Sequence, residues 1–257
     1  MSALSQRAGP KWPTRALAVG LGLLFLLASS RLRAQEDRPR VDVPPKARMV
    51  NPVPAGLTST KLDVHQFQVV ERESGSFSYY KVVEDLVEPF LRAAYRPPLE
   101  TVVIGYDVTD ELRSSARKLR WKWRAMALPK DGDVCREGYG DSAAAVYVAW
   151  KRFLKIYSLK FVWSTVGTRG LTCDKNSNLF IAQQTEILES GGPIGVWVSE
   201  EIDLREEFRI HFANNDPEAS VPEFLGIGVM SDGDQTFSVS EADYTSFVLL
   251  HEPKGKE

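Results

Sequence analysis

Histidine and cysteine, on which much metal and nucleophilic chemistry rests, are scarce in this sequence. Its 257 residues include three histidines, at 65, 211 and 251, and two cysteines, at 135 and 173. Three histidines so far apart argue against a His-rich zinc site. His211, late in an amphipathic stretch, reads as a surface or helix-end residue. No G-x-S-x-G elbow, P-loop, G-x-G-x-x-G or C-x-x-C pattern occurs, so no motif points to a nucleophile, a nucleotide or a dithiol centre. Excess positive charge is lacking as well. The formal net charge is −2, and residues 1–34 hold five basic residues and no acid, which leaves 27 Lys and Arg against 34 Asp and Glu in the remainder. A domain of net charge −7 by that count is a poor partner for nucleic acid. The basic, aromatic run around Trp121 and Trp123 does not alter this. Period two sends the two tryptophans to the face opposite Arg120, Lys122 and Arg124, so stacking and phosphate contact would fall on different sides of a strand.

A long membrane-spanning run is also missing. Ala16–Ala28 is an apolar stretch of 13 residues, the length of a signal-peptide core and short for a bilayer helix. With Arg7, Lys11 and Arg15 before it, it predicts a signal peptide over 1–34, cleaved near Ala34, with an uncleaved anchor as the alternative. The chain is therefore expected to be periplasmic or secreted, meeting a membrane only through this signal. Residues 35–57 carry Pro39, Pro44, Pro45, Pro52 and Pro54, which resist helix and central strand alike, and read as a linker.

What is present is a β pattern. In Leu119–Leu128 the residues Leu119, Trp121, Trp123, Ala125 and Ala127 share one face and Arg120, Lys122 and Arg124 the other. This predicts a core strand with a basic outer face, and Ala143–Lys151 is its expected partner. Further strands are expected over Val64–Arg72, Tyr79–Glu84, Phe90–Tyr95, Thr101–Val108, Leu159–Thr165, Ile194–Glu200, Leu225–Met230 and Tyr244–Leu250, with shorter ones at Asn178–Ala182 and Thr185–Glu189. Thr109–Lys118 reads as a turn or one helical turn capped by Thr109. Asp203–Phe212 is the strongest helix, with Asp203 as N-cap and Leu204, Phe208 and Phe212 on one stripe. The fold expected is mainly β: a single jelly-roll sandwich over 58–251 with one short helix near 203–212 and a tail at 252–257.

Five stretches occur in a specific order: LRWKWRAMALP, GDSAAAVYVAW, FVWST, WVSEEIDLREEFRIHF and GIGVMSDGDQTFSVSEADYTSF. Over roughly residues 63–250 this set resembles DUF3047, a bacterial exported family of unknown function. The resemblance implies a galactose-binding-like β-sandwich, a scaffold used by many sugar-binding modules, and it brings no catalytic residues with it. Ser142 stands where the family often has a second Asp after Gly-Asp, and Gly233 and Gln235 depart from it in the Asp-x-Asp-x-Thr stretch.

Candidate sites are few. Asp232 and Asp234 flank Gly233, with Glu241 and Asp243 soon after. Hard oxygen ligands on a Gly-containing loop are what Ca²⁺ requires; a solvated turn whose Asp side chains bond their own backbone is the alternative. Asp141, after Gly140, is a further ligand-binding candidate or a turn residue before a strand. Cys135 and Cys173 are expected to pair in an oxidising compartment, since a hairpin of Ala143–Lys151 with Leu159–Thr165 would send both beyond its open end. Three functions remain open: a non-catalytic module binding carbohydrate or another envelope ligand, a glycan-active hydrolase or lyase using carboxylates, and a structural envelope protein.

Overall fold

Leu119, Trp121, Trp123 and Ala125 all sit at most 1% exposed on one face of strand β6 (Ala116–Ala127). Strict alternation of large apolar and charged side chains leaves a strand no other way to bury two tryptophans. The computed structural model describes residues 52–69 and 78–253. The expected signal peptide and its cleavage point, most of the linker, residues 70–72 of the first expected strand and residues 254–257 of the tail lie outside them.

Among the described residues the chain forms two sheets. One runs in the order β11 (Val198–Asp203), β6, β13 (Ser240–His251), β4 (Phe90–Tyr95) and β3 (Tyr80–Val83), with β1 (Thr58–Lys61) also paired to β13. The other runs β2 (Gln68–Val69), β5 (Ile104–Asp107), β12 (Glu223–Met230), β7 (Ala144–Arg152), β8 (Lys155–Ser164), β10 (Ile181–Ser190) and β9 (Thr172–Ser177). The sheets pack face to face as a β-sandwich of jelly-roll type. Trp121 meets Phe161 at 5.9 Å and Trp123 meets Trp163 at 6.0 Å between ring centres, so aromatic contacts join the sheets through a shared core.

Several expectations change. Ala144–Arg152 is not the partner of β6: it lies in the opposite sheet, between β12 and β8, and residues 128–143 cross from one sheet to the other. The neighbours of β6 are β11 and β13, both remote in sequence. Its outer face is basic only in isolation. Glu201 from β11 meets Lys118 at 3.2 Å and Arg120 at 2.5 Å, while the fully buried Asp243 of β13 takes Arg92 and Arg124, each at 2.7 Å. The expected hairpin of β7 and β8 forms, turning at Phe153–Leu154. The two short candidates near 178–189 are one strand, β10, which pairs parallel to β8 and antiparallel to the unforeseen β9. The expected first strand is a 3₁₀ turn, Val64–Gln66, followed by the two-residue β2.

Among the described residues there are two α-helices rather than one. Helix α1 (Asp110–Ser115) has Thr109 as its cap. Helix α2 (Leu204–Phe212) starts at Asp203, whose Oδ1 accepts the backbone N–H groups of Arg205 and Glu206. Its Phe208 and Phe212 pack on Trp150 of β7 and Tyr157 of β8, at 5.1–6.1 Å between ring centres.

Candidate functional site

Strands β12 and β7 are neighbours, with Met230 opposite Ala145, so residues 231–234 leave one strand beside residues 141–143 entering the other. Two buried aspartates cross-link them. Asp232 Oδ1 accepts the Ser142 N–H at 2.8 Å and its hydroxyl at 2.9 Å. Asp141 Oδ2 accepts the Thr236 N–H at 2.7 Å and its hydroxyl at 2.6 Å, and Oδ1 accepts the Gln235 N–H at 3.3 Å. Each carboxylate thus holds the other's loop.

The three departures from the family pattern have local structural roles. The hydroxyl of Ser142 donates to Asp232, and the Gln235 side chain accepts the N–H of Gly140 at 2.9 Å. At Gly233 a Cβ would lie 2.1 Å from the carbonyl oxygen of Ser238, so no side chain fits there.

Asp234 is exposed at the rim, and one carboxylate oxygen from each of Asp141, Asp232 and Asp234 lies within 4.8 Å of the others. Burial pushes the Asp232 carboxyl up; the Lys160 ammonium pulls it down and the other two aspartates push it up again, to about 6. Asp141 is also raised, mainly by burial, against the hydrogen bonds from Thr236 and Gln235. Within the 233–238 turn Phe237 is 68% exposed with a φ of +49°, a left-handed conformation uncommon for a bulky residue.

From Asp232 the site continues onto the outward face of the seven-stranded sheet. Lys160 Nζ lies 3.8 Å from Asp232 Oδ2 and 5.7 Å from the centre of the Tyr147 ring. Beside it Ser158 on β8 and Gln183 and Thr185 on β10 point away from the core, because Leu159, Phe161 and Trp163 take the inward positions. All three are buried, and neither the Ser158 nor the Thr185 hydroxyl has a hydrogen-bond partner.

Asp141, Asp232 and Asp234 therefore come together; Glu241 and Asp243 do not join them. These two lie on the outer face of the other sheet, in ion pairs with Arg92, Arg96 and Arg124. Cys135 and Cys173 are bonded, with Cα atoms 5.6 Å apart, and tie the sheet-crossing loop to β9. Sequence reasoning missed Lys160, although a lysine amid the apolar run of β8 was a visible signal. His211 is the helix-end residue expected, but it is not at the surface: its side chain is only 4% exposed and sits against Glu186 of β10 and Glu207 of α2.

The sequence profile of the family described as "Protein of unknown function (DUF3047)" matches residues 78–248. No curated protein matches the chain in sequence. Solved structures that it resembles include a family 11 carbohydrate-binding module of a cellulosomal cellulase from Clostridium thermocellum, at 10% identity and a TM-score of 0.33 over 79% of this chain and 91% of that one. Trichoderma harzianum endoglucanase 3 from family GH12 gives 10% identity and a TM-score of 0.41 over 77% and 98%. A family 29 carbohydrate-binding module from Piromyces equi gives 6% and 0.31 over 76% and 91%.

Proposed function

Since the chain belongs to the DUF3047 family, whose function is unknown, we propose from its own geometry that it is an exported, non-catalytic module that binds carbohydrate at the acidic end of the sandwich. The observation that carries this reading is Phe237, a large apolar ring held out in solvent, in a costly backbone conformation, beside a cluster of carboxylates. Phe153 at the β7–β8 turn is as exposed and as left-handed (89%, φ +54°), so what marks Phe237 as a binding platform is the carboxylate cluster next to it. A pyranose ring has an apolar face that suits an aromatic platform, and its hydroxyls suit carboxylate and amide groups such as those of Asp234 and Gln235.

Calcium has a place in the proposal. Asp141, Asp232 and Asp234 would supply hard oxygens to a Ca²⁺ ion that reinforces the turn carrying Phe237. The hydrolase reading has less support. Glycosidase carboxylates must reach substrate and water, whereas Asp141 and Asp232 are buried and accept hydrogen bonds from the loops. Residues 1–34 would direct export, to the periplasm or outside the cell.

Affinity electrophoresis in gels cast with β-glucan, xylan, mannan or soluble cell-wall glycan tests the binding. The wild type should be retarded by at least one polymer. Phe237→Ala should weaken that retardation at least about tenfold, equivalent to about 1.4 kcal/mol, while its melting temperature stays unchanged. Retardation by none of the polymers, or retardation indifferent to Phe237→Ala, would rule the proposal out.

A further inference from the structure

We propose that His211, Glu186 and Glu207 form a second metal site, for a zinc-class divalent ion, between helix α2 and strand β10. Glu207 and His211 stand four residues apart on one face of α2, and the Glu186 side chain reaches them from β10. His211 Nε2 lies 3.3 Å from Glu186 Oε2 and 3.4 Å from Glu207 Oε2. An Nε2–H shared between the two oxygens would make only a long three-centre bond, since both distances exceed the roughly 2.7–2.9 Å of a charge-assisted N–H···O bond. They do fit the edges of a coordination tetrahedron. Ligand atoms bonded at about 2.05 Å to a tetrahedral ion lie roughly 3.3 Å apart.

The other ring nitrogen supports the same assignment. His211 Nδ1 lies 2.9 Å from Gln184 Oε1, and a proton on Nδ1, donated to that amide oxygen, leaves the Nε2 lone pair facing the two carboxylates. Metal-bound histidines are oriented in this way, with the non-ligating nitrogen anchored to an oxygen acceptor. One imidazole nitrogen and two carboxylate oxygens are borderline ligands of the type that suits zinc, and the set is too small and too nitrogen-rich for calcium. The imidazole is almost wholly buried while both carboxylates are partly open, so the fourth position faces the solvent side and can hold water. The scarcity of histidine weighs against a His-rich centre and leaves a mixed one possible. The site is separate from the aspartate cluster, where no histidine is present.

The test uses the full mature chain, stripped with chelator and then titrated with Zn²⁺ by calorimetry and with Co²⁺ by visible absorption. One equivalent of zinc should bind, and Co²⁺ should give the intense visible bands of four-coordinate geometry. Glu186→Gln, nearly isosteric and at a partly open position, should weaken zinc at least tenfold. Gln184→Leu, which removes only the anchor on Nδ1, should weaken it about 10–100-fold. Asp234→Asn should bind zinc as the wild type does. If His211→Asn unfolds the chain, the Glu186 and Gln184 variants still decide the matter. Absence of zinc uptake by the folded wild type, a weak octahedral cobalt spectrum, or affinity indifferent to Glu186→Gln would overturn the proposal.

Discussion

Asp232 is a carboxylate that the fold needs for its shape and disfavours for its charge. Its Oδ1 accepts two hydrogen bonds from Ser142, yet burial and two neighbouring aspartates raise its pKa to about 6 from an ordinary 3.8. The folded state therefore binds this proton more tightly than the unfolded state. Stability from this group is full at acid pH and is lost as pH rises from about 4 to 6, by roughly 3 kcal/mol at 1.36 kcal/mol per pH unit. Asp232→Asn keeps an acceptor for Ser142 and removes the charge. In chelator the melting temperature of the wild type should fall between pH 4 and pH 7 by more than that of Asp232→Asn. At pH 7 Ca²⁺ should raise the wild-type melting temperature and leave the variant unmoved. Scanning calorimetry reads both, and parallel pH curves for the two proteins would mean that the Asp232 charge is not penalised.

Helix α2 shows how a local signal serves a distant need. Asp203 satisfies two N–H groups that the first turn leaves without carbonyl partners, and Glu206 and Glu207 add favourable charge there. The helix then sets Phe208 and Phe212 against Trp150 and Tyr157 and presents Glu207 and His211 to β10. Asp203→Ala should destabilise the protein by about 1 kcal/mol in urea unfolding, while Asp203→Asn, also a good cap, should lie within a few tenths of the wild type. Equal losses from both substitutions would mean that the side chain acts through its charge and not through capping.

At the scale of the molecule the disulfide fastens the sheet-crossing loop to the edge of the seven-stranded sheet. Cys135 lies in the loop that crosses between sheets and Cys173 in the edge strand β9, with a sequence separation of 38. Closing a loop of that length stabilises the fold by about 4 kcal/mol in the chain-entropy account. Mass spectrometry of the protein recovered from its producing cells tests the bond together with the export proposal. After denaturation and alkylation without reductant the mass should show no added label, and the N-terminus should lie near residue 35. Two labels would show free thiols, and an intact Met1 terminus would exclude cleavage.

The sequence alone determined which faces are buried and where most elements lie. Alternation in Leu119–Ala127 and the capped stripe of Asp203–Phe212 are local patterns whose physics is complete within about ten residues, and both elements form within a few residues of the predicted bounds. Which strands become neighbours was decided only in three dimensions. The Trp121 strand could have paired with Ala143–Lys151, its neighbour in sequence. The sandwich sets the two in opposite sheets, because each carries a strongly apolar face that packs against the other layer while remote strands supply the carboxylates opposite Arg120 and Arg124. The sites follow the same division. Asp141, Asp232 and Asp234 could be singled out by residue type and by adjacent glycine, but their convergence depends on β12 lying beside β7. Glu207 and His211 are brought together by their i, i+4 spacing on α2, but their meeting with Glu186, like that of Lys160 with Asp232, is a tertiary contact that no spacing along the chain encodes.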